Sequence, residues 1–386
     1  MNDRPIPITA PYFDEQEIEQ LRACLDSRWV TQGPMVRKFE QLIGARHETK
    51  HALATTSCTA ALHLATLALG LGPGDEVIVP AFTWVTSAHC AEYVGARVVF
   101  ADVEPETFNL DPRAFEAAIG PRTRAVVVVH LFGLAARMDD ILVIARRHGL
   151  RVIEDAACAI ATRYGEKPVG GLGDLGCFSF HPRKIVTTGE GGMVTTNDAA
   201  LAEQVAIFRN HGAGGQPGPD ASPPRPYTMG RFDSLGFNLR LSDIQAAVGI
   251  AQIAKLDRLL AERVGRAERY GALLEGLPDL ARPTVPARCG HTYQSYVVRI
   301  LEGGMGRRNA IMDALAAEGI QTRPGTHAVH RLGYYARKYG LAADAFPNAC
   351  RSEDLTITLP IFPGMTDADQ ERVTDALQRA ARTAKR

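Results

Sequence analysis

The sequence predicts an α/β fold in which a domain built on a large, mainly parallel β-sheet is followed by a smaller α+β domain. Between residues 50 and 200, short runs of valine and isoleucine alternate with amphipathic helical segments. Such continuous apolar strands are typical of a parallel sheet that helices cover on both faces. The chain of 386 residues is too long for one ordinary domain, and the pattern changes after residue 272. We therefore predict a large domain over residues 15–260 and a small domain made of residues 1–14 and 261–386.

Hydrophobic periodicity assigns the elements of the large domain in chain order. Helices are expected where apolar residues recur at helical spacing, and strands where an apolar run is short and bounded by turn residues. The first predicted helix, for example, stops at the glycine-rich segment 70–74. The predicted strands are 76–80, 96–101, 125–130, 151–155, 174–180 and 192–196, and the predicted helices are 59–69, 86–93, 112–119, 138–148, 199–211 and 242–276.

Residues 212–226 separate two of these helices and differ from them in composition. The segment is rich in glycine, proline, aspartate and serine and has no periodic apolar pattern, which predicts a surface loop that acts as a lid or an interface arm. In the small domain, strands are predicted at 293–300 and 356–359, and helices at 307–318 and 366–383.

Composition and charge exclude several classes of protein. Lysine plus arginine and aspartate plus glutamate both number 43, so no basic excess favours a nucleic-acid partner. The polar N-terminus lacks an apolar signal core, and no apolar run approaches the roughly 20 residues of a membrane span, so we expect a cytoplasmic protein without a membrane partner. The seven cysteines are scattered and form no CxxC pair, which argues against a disulfide framework and against a metal site.

Two segments at the carboxyl ends of predicted strands favour charged ligands, and open α/β sheets place their ligands at such ends. Residues 55–61, Thr-Thr-Ser-Cys-Thr-Ala-Ala, open a helix whose free N–H groups and dipole favour an anion, although an ordinary N-cap explains them equally well. Asp155 ends an apolar strand, where a carboxylate needs a cationic or N–H partner. A protonated pyridine nitrogen is such a partner, and Ala156 and Ala157 leave room for a flat ring; a helix-capping aspartate is the common alternative.

Lys184 and Trp84 add an amine and an aromatic surface to these strand ends. Lys184 lies between the apolar segment 178–180 and the glycine-rich turn 187–192. Loss of solvent there would lower the pKa of the amine and make it a nucleophile able to form a Schiff base, whereas most lysines are solvated surface residues. Trp84 follows a strand and could stack on a cofactor ring, but alone it would be interpreted as a core aromatic.

Together, an anion site, an aromatic residue, a strand-end aspartate and a later lysine resemble the fold-type-I pyridoxal-phosphate enzymes. Further motifs along nearly the whole chain are similar to those of the DegT/DnrJ/EryC1/StrS aminotransferases, a family that acts mainly on nucleotide-linked keto sugars and on cyclitols. These motifs are RWVTQGP at 28–34, GDEVIVP at 74–80, HLFG at 130–133, EDAA at 154–157, SFH at 179–181, TTGEGG at 187–192 and GFNLRLSD at 236–243.

The resemblance implies roles for the residues at matching positions. It implies that Lys184 holds pyridoxal 5'-phosphate and shuttles a proton, and that Asp155 pairs with the pyridine nitrogen. Asn238 would reach the cofactor phosphate of a neighbouring subunit, which implies a homodimer with composite active sites, and His330 and Arg240 would lie on the substrate side. The remaining implied cofactor contacts are Cys58, Thr59, Trp84, Ala157, Cys158 and Ser179, of which Cys158 departs from the glutamine or histidine usual in the family.

The sequence thus predicts a pyridoxal-phosphate-dependent aminotransferase that moves an amino group, from glutamate, to a keto sugar linked to a nucleotide. A branch of the family that has histidine in place of the lysine performs dehydration, so Lys184 favours transamination. Two alternatives stay open: a cyclitol aminotransferase acting on a keto-inositol, and a catalytically idle regulatory relative. A nucleotide-binding dehydrogenase is disfavoured because no GxGxxG motif follows an early strand.

Overall fold

A seven-stranded β-sheet occupies the centre of the large domain in the computed structural model, which describes residues 4–214, 227 and 229–384. A three-stranded sheet belongs to the small domain, and two short pairs of strands complete the described β-structure. The strands are β1 (His51–Thr55), β2 (Glu76–Pro80), β3 (Phe82–Thr83), β4 (Arg97–Ala101), β5 (Thr123–Val129), β6 (Arg151–Asp155), β7 (Arg163–Tyr164), β8 (Lys167–Pro168), β9 (Leu175–Ser179), β10 (Gly192–Thr196), β11 (Leu280–Ala281), β12 (Tyr296–Ile300), β13 (His327–Ala328) and β14 (Thr356–Leu359).

Side-chain caps begin several of the helices. The side chains of Asp14 and Thr366 each accept a backbone N–H of the helix that follows. In both helices the acidic side chain at the third position accepts the backbone N–H of the capping residue, which completes a capping box. No helix in the described part of the chain combines the length and the apolar character that crossing a membrane requires. The helices are α1 (Glu15–Asp26), α2 (Pro34–Arg46), α3 (Cys58–Ala68), α4 (Thr86–Tyr93), α5 (Pro112–Ala117), α6 (Met138–Arg147), α7 (Ala199–Arg209), α8 (Asp243–Ala254), α9 (Leu256–Leu273), α10 (Gly304–Ala317), α11 (Gly333–Tyr339), α12 (Pro347–Leu355) and α13 (Asp367–Thr383).

The large sheet has the strand order β1-β10-β9-β6-β5-β2-β4. Neighbours from β9 to β4 pair in parallel, and β10 alone runs against the rest, because it pairs antiparallel with both β9 and β1. The predicted mainly parallel sheet is therefore confirmed. The predicted strands 76–80, 151–155, 192–196 and 356–359 coincide with β2, β6, β10 and β14.

Two apolar cores lie on opposite faces of the large sheet. Successive residues of a strand point to opposite faces, so Val77 and Val79 pack in one core and Ile78 packs in the other. Helices α3, α4 and α7 contribute to the first core, and α2, α5, α6 and α8 to the second. Because both faces of the sheet are buried, nearly every residue in these strands is apolar, and their sequences form continuous apolar runs.

A third core belongs to the small domain. Its antiparallel sheet has the order β11-β12-β14 and packs with α10 and α13. The N-terminal segment joins this core through Ile6, which exchanges backbone hydrogen bonds with Gly319 and Gln321. Helix α9 enters both parts of the molecule, since Leu256 and Leu259 pack below the large sheet while Ala267 and Tyr270 pack in the small domain.

Two predicted elements differ from the structure, and a third lies mostly outside the described residues. The helix predicted over 242–276 is two helices that meet at Lys255, whose buried ammonium group lies 2.9 Å from Asp14 and 2.5 Å from Glu17. The strand predicted from residue 293 begins only at β12, because Tyr293 has a φ of 49° and lies outside the β region. Of the predicted loop 212–226, residues 215–226 lie outside the described residues.

Candidate active site

The register of the large sheet brings three segments of the sequence to one edge. Asp155, the last residue of β6, lies opposite Cys177 of β9, and β9 ends two residues later at Ser179. Ser179 in turn lies opposite Gly192, and Gly192 lies opposite Thr55, the last residue of β1. The carboxyl ends of β6, β9 and β1 therefore meet along one row, where open α/β sheets bind ligands.

The start of helix α3 forms an anion site beside this row. Ser57 caps the helix: its Oγ accepts the N–H of Ala60 at 3.1 Å and its carbonyl accepts that of Ala61 at 3.0 Å. Since the first N–H groups of a helix have no intrahelical acceptor, those of Cys58 and Thr59 remain for a ligand. Burial raises the pKa of the Cys58 thiol well above its usual range, so the thiol stays neutral and does not repel an anion.

Gly192 permits the close contact between the helix and the strand. A Cβ atom at this position would lie 2.4 Å from the carbonyl carbon of Ser57 and 2.6 Å from the backbone nitrogen of Cys58. Any other residue at position 192 would therefore push the start of α3 away from Ser179, the residue opposite in the sheet.

The carboxylate of Asp155 is buried and oriented by hydrogen bonds. Its Oδ2 accepts the hydroxyl of Ser87 at 2.6 Å, and the Ser87 Oγ lies 3.0 Å from the Oγ1 of Thr83. Its Oδ1 accepts the N–H of Ala157 at 3.1 Å. Among the residues that the structure describes, no lysine, arginine or histidine pairs with Asp155. The carboxylate is thus held in place with capacity left for a cationic ligand.

Lys184 follows the end of β9 in a turn that several hydrogen bonds hold. The carbonyl of Phe180 accepts both the N–H of Thr188 and the hydroxyl of Thr187, and the N–H of Lys184 donates to His181. The half-buried Lys184 Nζ lies 3.2 Å from the Sγ of Cys158, and Cys158 is in the segment that follows Asp155. The turn therefore delivers an amine to the same edge of the sheet as the Asp155 carboxylate.

Trp84 presents an aromatic surface between the two domains. It is 55% exposed, which is unusual for the largest apolar side chain, and its ring centroid lies 5.7 Å from that of His327. Strands β3 and β13 pair His327 with Thr83, so a segment of the small domain borders the tryptophan. Trp84 directly follows Thr83, which is linked through Ser87 to the Asp155 carboxylate, and an exposed indole in this position is suited to stack against a flat ring.

A second buried carboxylate, Glu154, supports the site from the opposite face of β6. It accepts N–H groups of Gly170, Leu172 and Gly173 at 2.7–2.8 Å and lies 3.0 Å from the Nε2 of His130. Burial alone would raise the pKa of Glu154, but the hydrogen bond to His130, together with the backbone N–H donors, lowers it. Because the Nδ1 of His130 accepts the N–H of Ala136, its Nε2 carries the proton donated to Glu154.

Arg240, expected on the substrate side, and Asn238, expected to reach the cofactor phosphate of a neighbouring subunit, lie in one segment of the chain. Arg240 forms an isolated backbone bridge with Thr55 and donates to the Asn210 side chain at 2.7 Å, so it lies next to the start of α3. Asn238 is exposed, and its backbone is bridged to Asn210. Although this segment is far from residues 57–59 in the chain, its backbone lies beside the anion site in space, since the carbonyl of Leu239 accepts the N–H of Thr56.

His330 is not brought to this edge of the sheet. The side chain is 1% exposed, its ring packs against Phe346 and Phe100, and its Nε2 lies 3.1 Å from the carbonyl of Ala343. Burial lowers the pKa of the ring below its usual value. The expectation that His330 lies on the substrate side stays a prediction, and the buried ring beside Ala343 does not by itself support it; His327, in the same motif, is the histidine that borders Trp84.

Sequence reasoning missed the residues that orient the site rather than form it. Ser87 and Thr83 belong to none of the motifs, and the motif HLFG, which His130 opens, does not reveal that this histidine contacts Glu154. A signal was available for Ser87, because it is a small hydroxyl residue three positions after Trp84, in the first turn of helix α4. Among the described residues, no cluster of three metal-ligating side chains is present.

Comparison with known proteins places the chain among aminotransferases. Residues 11–378 match the model of the DegT/DnrJ/EryC1/StrS aminotransferase family. GDP-perosamine synthase of Caulobacter vibrioides is 42% identical over 382 residues, which are 98% of this chain and 99% of that protein. The spore coat polysaccharide biosynthesis protein SpsC of Bacillus subtilis is 38% identical over 379 residues, 97% of this chain and 96% of that protein.

Solved structures share the fold over the whole chain. DesV of S. venezuelae, solved in complex with a ketimine intermediate, has a TM-score of 0.87 and 32% identity, and the match covers 99% of this chain and 100% of that chain. Spr1654 of Streptococcus pneumoniae, solved in its PLP-form, has a TM-score of 0.92 and 25% identity over 99% and 100% of the two chains. The predicted fold-type-I architecture is therefore confirmed.

The residues at the sheet edge fit pyridoxal phosphate, the cofactor predicted from the sequence. The start of α3 with Ser179 suits the phosphate, and Lys184 suits the aldehyde. Asp155, which lacks a cationic partner among the described residues, suits the ring nitrogen. Trp84 and Ala157 offer surfaces on which a flat ring can lie.

Replacing Lys184 with alanine should abolish transamination and the visible absorbance of the bound cofactor. The variant loses both the amine that holds the cofactor and the group that moves the proton, a loss of roughly 10²–10⁴-fold from proton transfer alone. Turnover and absorbance spectra measure the effect, with the exposed Lys38→Ala on α2 as the matched control. Wild-type turnover in the Lys184 variant would refute the assignment.

Replacing Asp155 with asparagine should reduce turnover by roughly 10²–10³-fold, because an amide does not stabilise a positive charge on the ring nitrogen. The hydrogen bonds from Ser87 and Ala157 can persist, so cofactor content should fall much less than rate. Turnover per bound cofactor separates the two effects. Near-normal turnover would mean that Asp155 only caps the following segment.

Proposed function

Since the chain belongs to the DegT/DnrJ/EryC1/StrS aminotransferase family and is a pyridoxal-phosphate-dependent enzyme, we propose that it transfers the amino group of glutamate to a keto sugar linked to a nucleotide. The observation that carries the proposal is the convergence of Lys184, Asp155 and the start of α3 at one edge of the sheet. The nucleotide-linked acceptor is supported by the 42% sequence identity with GDP-perosamine synthase. The aligned region covers almost the whole of both chains.

Each residue of the site has a separate role in such a reaction. Bound pyridoxal phosphate supplies the electron sink for the reacting carbon. The N–H groups at the start of α3 and the hydroxyl of Ser179 hold the phosphate, and Asp155 keeps a proton at the ring nitrogen. Lys184 Nζ takes the proton from the reacting carbon and returns it at the end of the transfer. Ser87 and Thr83 position the Asp155 carboxylate throughout.

The acceptor can be identified with a panel of ketones. Purified holoenzyme is incubated with glutamate and with nucleoside-diphosphate keto sugars of different bases or with a keto-inositol, and the formation of 2-oxoglutarate is measured. We expect glutamate conversion with a nucleotide-linked keto sugar and none with Lys184→Ala. Conversion with the keto-inositol alone would establish a cyclitol aminotransferase, and no conversion of any ketone by cofactor-loaded protein would favour a regulatory relative.

We further propose that the enzyme is a homodimer with composite active sites. In the segment that precedes α8, the chain exposes large apolar side chains: Met229, Phe232 and Leu235 are 63–88% exposed. A contiguous run of this kind is typical of an interface. Asn238 follows directly and is anchored by backbone bonds from His211 to Phe237 and from Leu239 to Arg209. The proposed role of Asn238 is to reach the phosphate bound by the partner subunit.

A complementation experiment tests the composite site. Lys184→Ala and Asn238→Asp should each be strongly impaired, the second because a carboxylate repels a phosphate. In a mixed dimer, one site combines the intact Lys184 of one subunit with the intact Asn238 of the other, so activity should return to about half that of the wild-type dimer. Sedimentation reports the dimer, and tagged subunits allow the mixed species to be purified.

The control is a mixed dimer of Lys184→Ala with wild type, which should also retain about one working site. If Asn238 served its own subunit, the mixed dimer of the two variants would stay as impaired as Asn238→Asp. A fully active monomer in sedimentation would contradict the dimer itself.

A further inference from the structure

Cys158 is the only cysteine of the chain that is not buried, and its side chain contacts the Lys184 amine. The Lys184 Nζ donates a hydrogen bond to the Cys158 Sγ at 3.2 Å. Among the residues that the structure describes, this sulfur is the only hydrogen-bond partner of Nζ, and no carboxylate forms an ion pair with it. The position of the amine therefore depends on a sulfur atom rather than on an opposite charge.

The backbone around Cys158 is fixed on two sides, which gives the sulfur a defined position. On one side, the Asp155 carboxylate accepts the N–H of Ala157 at 3.1 Å. On the other side, a Cβ atom on Gly133 would lie 3.1 Å from the carbonyl oxygen of Cys158, so the two segments pack closely. The carbonyl of Gly133 in turn accepts the hydroxyl of Thr162 at 3.0 Å. The turn that orients the Asp155 carboxylate therefore also brings the sulfur to the amine.

The long side chain of Lys184 needs a contact at its end to hold the amine in one place. A lysine has many rotamers, and restricting them costs conformational entropy. The backbone of Lys184 is anchored, since its N–H donates to the carbonyl of His181 at 2.8 Å, but that bond leaves the side chain free to rotate. Because proton transfer requires the two groups to lie within hydrogen-bond reach, an amine that wanders loses rate. The contact with the Cys158 sulfur restricts this motion.

We propose, on the basis of the proposed role of Lys184 in transamination, that Cys158 is a positioning residue for this lysine. Its sulfur holds Nζ at the point where the amine meets the cofactor aldehyde and where it takes up and returns the proton. The thiol forms and breaks no covalent bond in this role. The competing explanation is a contact between Cys158 and the cofactor itself, which the family resemblance implies. The two explanations differ in what the Cys158 side chain does once the Lys184 amine is removed.

Substitutions of Cys158 test the positioning role in turnover. Cys158→Ala should lower kcat about 2- to 10-fold, the range for the loss of one hydrogen bond, and leave KM for glutamate nearly unchanged. Cys158→Ser keeps an acceptor atom and should recover part of the loss, whereas equal losses in both variants would show that only packing matters and would overturn the proposal. Cys24→Ala is the matched control, because it removes a buried thiol of α1 that donates to the carbonyl of Trp29, and it should leave kcat unchanged.

The affinity for the cofactor separates a contact with the amine from a contact with the cofactor. The dissociation constant of pyridoxal 5'-phosphate is measured by equilibrium dialysis for the wild type, Cys158→Ala, Lys184→Ala and the double variant, all as full chains. With Lys184 present, Cys158→Ala should raise the dissociation constant about 2- to 10-fold, because the amine is less well placed. In the Lys184→Ala background the same change should have no effect, since the interaction is already lost. An equal rise in both backgrounds, or none in either, would overturn the proposal.

The rate at which the amine captures the cofactor distinguishes a failure of this proposal from a failure of the proposed function. Cofactor-free protein is mixed with pyridoxal 5'-phosphate, the visible absorbance is followed with time, and borohydride reduction with peptide mapping identifies the labelled lysine. We expect label on Lys184 in every variant that retains it, with capture about 2- to 10-fold slower in Cys158→Ala and partly restored in Cys158→Ser. Label on Lys184 at the wild-type rate in Cys158→Ala would overturn only the role of Cys158. Label on a different lysine would overturn the role of Lys184 and that of Cys158 with it.

Discussion

The site depends on the fact that successive residues of a β-strand point to opposite faces of the sheet. At the end of β6, Glu154 and Asp155 are consecutive residues, and their carboxylates lie on opposite faces of the sheet with different hydrogen-bond partners. Glu154 binds three backbone N–H groups of the 170–173 loop and the His130 ring, while Asp155 is left on the ligand side with Ser87. Because both side chains are buried, a shift of one residue in the register would reverse their environments and destroy both.

The same strand end connects the two domains. Asp155 is bonded to Ser87, Ser87 contacts Thr83, and Thr83 lies in the short strand that pairs with His327 of the small domain. On the other side, the Gln294 side chain donates to the carbonyl of Arg183, directly before Lys184. The small domain therefore contacts both the carboxylate side and the amine side of the candidate active site. Its position is part of the geometry that the reaction requires.

Much of this arrangement could be predicted from the sequence, because the informative residues lie at the ends of apolar runs. The bounds of β2 and β6 followed from continuous burial, and Asp155 and Lys184 stand at the boundaries of such runs. The partners of Asp155 could not be predicted, since Ser87 reaches it only through pairing between strands distant in the chain. The environment of His330 depends on packing with Phe100 and Phe346, which a local pattern does not encode. The break at Lys255 likewise depends on Asp14 and Glu17, far away in sequence.

Helix α9 has a consequence for how the protein tolerates change. One end of it packs in the core under the large sheet and the other end in the core of the small domain. Because both cores contain residues of this one helix, unfolding that spreads along it from either core removes contacts from the other, which couples the stabilities of the two cores. Substitutions deep in the small domain, far from any reacting atom, therefore lower the amount of folded enzyme in a cell by weakening both cores.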